Sequence, residues 1–302
     1  MAGNIHVSLA ELMALEEAAK SLGAKAPAPV SWLHPGAHRS RLLGQGSTFE
    51  EMRPYQHGDD IRALDWKLTL RAGRPYVRLC SEERERRVLL VVDQRQSMFF
   101  GSQGKTKSVI AAEAAALCAW ACRHQGDRVA ALIFNDRRSE MFAPGSSRLH
   151  LSRALAALAG FNQELTAVAG GGGQTLTPWL SRIASRVTRG WLLILISDGL
   201  GWGDEDTQLL KPLTSDNQVV MLQISDPLER QLPQMDNLVV SDGDRQLRFD
   251  GGGPVASAYR RRWLRFDARF SLLADTLPMT RIAVTTTQPT DLQLRASLGT
   301  GR

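Results

Sequence analysis

The sequence predicts an α/β protein: a doubly wound, mostly parallel sheet flanked by helices, with a small companion region on its N-terminal side. Three observations carry this. Residues 88–92 and 191–196 are unbroken runs of Val, Leu and Ile after a charged or aromatic start. Such runs mark strands covered on both faces. They alternate with helical stretches, as a crossover-connected parallel sheet requires. Each run also leads into an aspartate, Asp93 and Asp198, at the carboxyl edge where open α/β sheets place their sites.

Residues 1–36 read as an amphipathic helix and a Pro/Ala linker. Ser8 is a good N-cap with Glu11 at N3, a capping box, and Val7 and Leu12 occupy the staple positions around it. Leu9, Leu12, Leu15, Ala19 and Leu22 form an apolar stripe that Gly23 ends. The stripe requires a docking surface, on the main domain or on another subunit, which leaves a homo-oligomer open. Residues 37–86 are dense in Gly, Arg, Asp and aromatic residues without clean periodicity, and are expected to be ordered loops and short strands, with 76–80 an edge strand. Residues 87–302 form the main domain. Here strands are expected at 88–92, 128–134, 191–196, 218–224 and 280–285, and helices at 106–122, 148–159, 177–187, 204–212 and 255–275. Runs 237–240 and 246–249 add a hairpin.

Composition excludes several classes. At 302 residues the chain is long enough for a full α/β core. No apolar run approaches membrane-spanning length, and no secretory signal is visible. Cys80, Cys118 and Cys122 make no disulfide framework, so cytoplasmic residence is the default expectation. Cys118 and Cys122 read as buried core residues. The formal charge of +6 favours anionic partners. The arginine clusters at 84–87 and 260–265 nonetheless read as solvated helix faces rather than a nucleic-acid surface, because no reading motif accompanies them.

The strand-end loops hold the candidate site. Asp93, Arg95 and Ser97 are spaced to converge in one turning loop, Gly170 to Gly173 lead to Thr175, and Asp198 comes from a neighbouring strand end. Asp93, Ser97, Thr175 and Asp198 form an all-oxygen set suited to a hard cation; the bland alternative is that each aspartate only caps a turn or a helix. The stretch FFGSQGKT ends like a phosphate-binding loop, but Phe99 stands where that motif needs its first glycine. Lys105 is better placed to start the next helix or meet a carboxylate. No Gly-x-Ser-x-Gly nucleophile turn or His-Glu-x-x-His motif is present.

The Asp93-x-Arg95-x-Ser97 loop, Thr175 and Asp198 resemble the metal-ion-dependent adhesion site of von Willebrand factor A-type domains, with Arg95 in place of the middle serine. A guanidinium has only donors and cannot ligate a metal, but it can neutralise Asp93 and Asp198. The resemblance therefore implies magnesium or manganese at the site, or no ion at all. If Arg95 fills the position, a partner carboxylate is expected to meet it directly. The wider text, HRSRLLGQGSTFEEMRPYQHGDDIRALDWKLTLRAGRPYVR followed by GDRVAALIFND and LISDGL, resembles the DUF58 family over residues 36–290. That resemblance implies a noncatalytic interaction module, an adaptor or co-chaperone for a MoxR-type AAA+ ATPase and an unidentified client protein. The alternative is a metal-dependent phosphoester hydrolase using Asp93 and Asp198. Within the signature, Arg53, Tyr55, Asp59, Asp60, Arg62, Asp65 and Trp66 are expected to form a buried ionic network with Trp66 as its apolar wedge, or a docking epitope for the ATPase.

Overall fold

In the computed structural model, residues 4–23, 48–57, 59–81, 85–166, 175–230, 238–241, 246–249 and 254–299 are described. The chain divides into two compact units, residues 36–85 and the remainder.

Helix α1 (Leu9–Gly23) belongs to the larger unit. The capping box forms: Ser8 N donates to Glu11 Oε2 at 2.8 Å, and Glu11 N donates back to Ser8 Oγ at 3.3 Å. These bonds hold the Glu11 carboxyl below its ordinary pKa. The small unit pairs β1 (Thr48–Pro54) antiparallel with β2 (Tyr76–Ser81), and between them lies the helix α2 (Trp66–Ala72). The sequence reading did not anticipate α2, although its punctuation is present. Asp65 Oδ1 accepts from Leu68 N at the N-cap, and Gly73 ends the helix at φ +66°.

The larger unit continues with β3 (Arg87–Asp93), α3 (Lys107–His124), β4 (Arg128–Phe134), β5 (Ser139–Gly145), α4 (Arg148–Gln163), α5 (Thr177–Ala184), β6 (Trp191–Ser197), α6 (Asp204–Asp216), β7 (Gln218–Ser225) and α7 (Pro227–Arg230). The hairpin β8 (Leu238–Ser241) and β9 (Gln246–Phe249), α8 (Pro254–Thr276), β10 (Met279–Thr285) and α9 (Thr290–Gly299) complete it. Among the described residues six strands form the main sheet in the order β10-β7-β6-β3-β4-β5, all parallel except β5 against β4. This is the doubly wound, mostly parallel arrangement the apolar runs call for. Every residue of β6 and all of β3 after Arg87 are buried. Two apolar layers sandwich the sheet: α1, α3 and α4 supply one, and α5, α6 and α8 the other.

Three elements escaped the sequence reading in this unit: β5, α9 and the four-residue helix α7. Strand β5 is the half-exposed antiparallel edge, carries Pro144 near its end, and pairs with β4 through an irregular register. Its sequence therefore shows neither a buried run nor clean alternation. Helix α9 is short and mixed in polarity. Helix α5 also stops at Ala184, short of the expected 187.

The stripe of α1 meets the main domain. Leu12 is fully buried, Trp120 Nε1 of α3 donates to Leu12 O at 3.2 Å, and Val7 N donates to the Asn162 side chain at the end of α4. Cys118 and Cys122 are buried in the same layer. Among the described residues no helix is long and apolar enough to cross a membrane.

Candidate functional site

The parallel strands β3, β6 and β7 end side by side, and each is followed or closed by an aspartate: Asp93, Asp198 and Asp226. All three are buried. Carboxylates so placed need cations or several donors, because an unpaired buried charge is very costly.

Arg95 meets the first. Its Nε lies 3.0 and 3.1 Å from the two Asp93 oxygens, and its Nη2 lies 2.7 Å from Oδ2. Arg95 N and Ser197 Oγ also donate to Asp93, at 2.9 and 2.7 Å. The same Nη2 donates to Leu200 O and stands 3.8 Å from Asp198 Oδ1. The guanidinium's own burial opposes its charge, but Asp93 and Asp198 outweigh it and raise its pKa. Arg95 is only 3% exposed, so its charge is spent within the chain. The expectation that a partner carboxylate reaches it directly does not fit this burial.

Lys107 meets the second. It is the first residue of α3, a position where the helix dipole disfavours a cation, and its side chain is fully buried. Lys107 Nζ donates to Asp198 Oδ2 at 2.9 Å and to Glu229 Oε1 of α7. Burial opposes the ammonium charge, yet the two carboxylates together raise its pKa. Asp198 shows the reciprocal effect: burial would raise its pKa, but Lys107 and Arg95 hold it below the ordinary range. Glu229 moves the other way, because its own burial dominates.

Asp226 is satisfied by donors alone. Ser102 N and Thr286 Oγ1 donate to Oδ2 at 2.8 and 2.6 Å, and Leu228 N donates to Oδ1 at 2.9 Å. Gly199 and Gly201 turn the loop after Asp198 at φ +78° and +81°. A Cβ at Gly199 would stand 2.5 Å from the Phe270 ring, so side-chain packing as well as backbone requires glycine there.

The structure thus brings Asp93, Arg95 and Asp198 together. Ser97 sits in the same loop; its Oγ is buried and has no hydrogen-bond partner among the described residues. Thr175 is exposed, and no hydrogen bond among the described residues joins it to either aspartate. Gly170 to Gly173 lie outside the described residues. Among the described residues no group of three His, Cys, Asp or Glu side chains has a metal-binding arrangement. The donor set explains why: both oxygens of Asp93 and both of Asp198 already accept hydrogen bonds, and two cationic side chains stand between them. These residues do not fit a divalent ion.

Lys107, Glu229 and Asp226 were missed from sequence. Lys107 is a lone cation opening an otherwise apolar, alanine-rich helix, and Asp226 follows its strand run as Asp93 and Asp198 follow theirs. Those two signals were available. Lys105 pairs with Glu113 of α3 and Thr106 caps that helix, so this loop's side chains serve the fold.

The signature residues form a different constellation in the small unit. Arg53 Nη2 donates to Asp59 Oδ1 at 2.7 Å, whereas Asp60 and Asp65 cap the turn at residues 61–63 and α2. Tyr55 is half-buried and Arg62 exposed. Within this unit Trp66, at the start of α2, is 64% exposed, and the Arg53–Asp59 pair is partly solvated.

The chain has relatives among known proteins. The model of the family described as "Protein of unknown function DUF58" matches residues 51–263, and the chain belongs to that family. Uncharacterized proteins of Mycobacterium bovis and Mycobacterium tuberculosis are each 30% identical to it over 212 residues, covering 69% of this chain and 64% of theirs. The chain thus spans just under two thirds of those relatives. Among solved structures, the conserved hypothetical protein BatB from Bacteroides thetaiotaomicron aligns over 70% of this chain and 97% of its own, at 11% identity and a TM-score of 0.42. A von Willebrand factor type A protein from Catenulispora acidiphila aligns over 72% and 43%, at 15% identity and a TM-score of 0.39.

Proposed function

We propose that this member of the DUF58 family is a noncatalytic protein-docking module, an adaptor or co-chaperone beside a MoxR-type AAA+ ATPase acting on a client protein. The ATPase and the client rest on the family resemblance alone. One observation carries the noncatalytic part: Asp93 and Asp198, the carboxylates a phosphoester hydrolase would use, have all their oxygens engaged by Arg95, Ser197, Lys107 and Leu200 N. A general base must take up a proton, which Lys107 and Arg95 beside the buried Asp198 disfavour, and a catalytic metal needs an open position.

The small unit supports the docking part. Ile61, Trp66 and Leu70 are exposed, and Trp66 and Leu70 are one helical turn apart on one face of α2. Arg62, Lys67 and Arg71 flank them and are exposed as well. An aromatic anchor within a basic surround fits an acidic segment of a partner with its own apolar side chains.

The test is capture of partners by the tagged chain from its native extract, in magnesium and in chelator, with Trp66→Ala beside the wild type. The expected result is an AAA+ ATPase retained by the wild type in both conditions and lost from Trp66→Ala. Turnover of a phosphoester that disappears in Asp198→Asn would replace this reading with the hydrolase.

A further inference from the structure

We propose that the outward face of α8 is a contact between two copies of this chain, which pair their α8 helices antiparallel about Ala268. The proposal stands apart from the docking reading, which uses the small unit.

Helix α8 gives only one side to the fold. Phe266, Phe270 and Leu273 pack into the apolar layer on one face of the sheet, with Phe270 edge-on to Trp202. On the opposite side Leu264, Ala268 and Leu272 recur every four residues and form one ridge. Leu264 is 56% exposed and Leu272 66%, and Ala268 between them is exposed as well. Arg261 and Asp275 continue the same line beyond the leucines, one at each end, and both are exposed. Neither joins an ion pair among the described residues, whereas Asp267 and Arg269, off the ridge, pair with Arg281 and Asp204. The stripe of α1 is covered by α3 within its own chain; the ridge of α8 is left bare.

The order of these residues selects the occupant. Leu264 and Leu272 lie four residues to either side of Ala268, and Arg261 and Asp275 lie seven to either side. In a two-fold contact each residue meets the one equally far along on the other side of the axis. An antiparallel pair centred on Ala268 therefore sets Leu264 against the partner's Leu272 and Arg261 against the partner's Asp275, each contact occurring twice. Ala268 meets its own copy, where a small side chain lets the helices approach closely. A parallel pair would set Arg261 and Arg265 against their own copies, which like-charge repulsion disfavours. An anionic membrane or an acidic segment of another protein would be met by the arginines alone, and Asp275 on the apolar line opposes both.

The ridge from Leu264 to Leu272 is about 12 Å long at the helical rise. That is short for the roughly 800 Å² per partner of a standard interface, so a dissociation constant on the order of 10–100 µM is expected.

Sedimentation equilibrium of the full chain, from about 1 µM to about 1 mM, reads this equilibrium, with circular dichroism melts confirming that each variant is folded. Wild type is expected to pass from monomer to dimer within the range. Leu264→Glu should weaken the dimer at least about tenfold, because two leucines leave the contact. Arg261→Asp and Asp275→Arg should each weaken it by roughly threefold or more. The double swap Arg261→Asp/Asp275→Arg should return it to within about twofold of wild type, since the antiparallel register brings these two positions together. A wild type that stays monomeric throughout would overturn the proposal and leave the ridge to a different molecule. A dimer indifferent to Leu264→Glu would place the contact elsewhere, and a double swap that merely adds the two single losses would refute the register.

Discussion

Asp198→Asn is the sharpest probe of the strand-end cluster, because it removes a charge and almost no volume. In the wild type Lys107 Nζ is 2.9 Å from Asp198 Oδ2 and Arg95 Nη2 is 3.8 Å from Oδ1. At an effective dielectric constant of about 20 these separations correspond to roughly 6 and 4 kcal/mol of attraction. Most of that is offset, since the asparagine no longer carries the desolvation cost of a buried carboxylate, several kcal/mol per ion. What remains is the cost of leaving Lys107, fully buried, with Glu229 as its remaining carboxylate partner among the described residues. Breaking a buried pair on one side costs about 3–5 kcal/mol. The measurement is urea unfolding followed by circular dichroism and tryptophan fluorescence, with Lys107→Met and the double variant completing a cycle. The double variant is expected to lose at least about 2 kcal/mol less than the sum of the singles, because the second substitution removes the charge the first left uncompensated. A single-variant loss under about 1 kcal/mol, or strict additivity, would show that solvent or backbone already satisfies Lys107, and the electrostatic account would fail.

Leu12→Ala empties a fully buried position where α1 meets α3 and is expected to cost about 2–5 kcal/mol; limited proteolysis should cut α1 first, and unaltered protection would mean that α1 is held by its end contacts alone. Gly199→Ala places a methyl 2.5 Å from Phe270 at φ +78° and should cost about 2–4 kcal/mol from strain and overpacking combined, so an unchanged melting temperature would refute the close approach. Asp198 and Asp226 are held below the ordinary value of 3.8. Their stabilisation is therefore fully present above that value and is lost as pH falls through their lower folded values; acid titration of Asp198→Asn should show a shallower loss in that window, and an identical profile would contradict the assignment. Burial pushes the Cys118 thiol up to about 12 and Cys122 well above its ordinary value, so neither should react with iodoacetamide at neutral pH until the chain unfolds, and rapid native labelling read by mass spectrometry would rule this out.

The parts of the fold legible in the sequence are those where burial leaves a one-sided mark. Strands β3 and β6 are covered on both faces and so admit only apolar residues, and α1 announces itself because Ser8, Glu11 and the staple around them are local chemistry. Edge strand β5 and helix α2 left weaker marks, since a half-exposed edge tolerates Pro144 and a seven-residue helix shows less than two turns of period. The site divides along the same line. Asp93, Arg95 and Asp198 are visible because strand-end position is a local property, whereas the pairing of Lys107 with Asp198 spans 91 residues. Nothing in the text around Lys107 names its partner; only the oddity of a cation opening an apolar helix hints that one must exist.

That long-range pairing also decides what kind of surface the strand ends can be. A divalent ion on carboxylates keeps an outward coordination position, and a partner can supply the missing ligand. Lys107 and Arg95 are buried and turned inward onto Asp93, Asp198 and Glu229, so they provide the charge without the open position. On the proposed reading, recognition on this chain is therefore separated from the carboxylates of the fold. The strand ends hold β3, β6 and α7 in fixed register, and the contact proposed for a partner lies elsewhere, on exposed side chains such as Trp66 and Leu70. The strand ends and the small unit are then expected to differ in what they affect. Chelator should leave partner capture intact while Trp66→Ala removes it, and Arg95→Ser should lower the melting temperature without abolishing capture below that temperature.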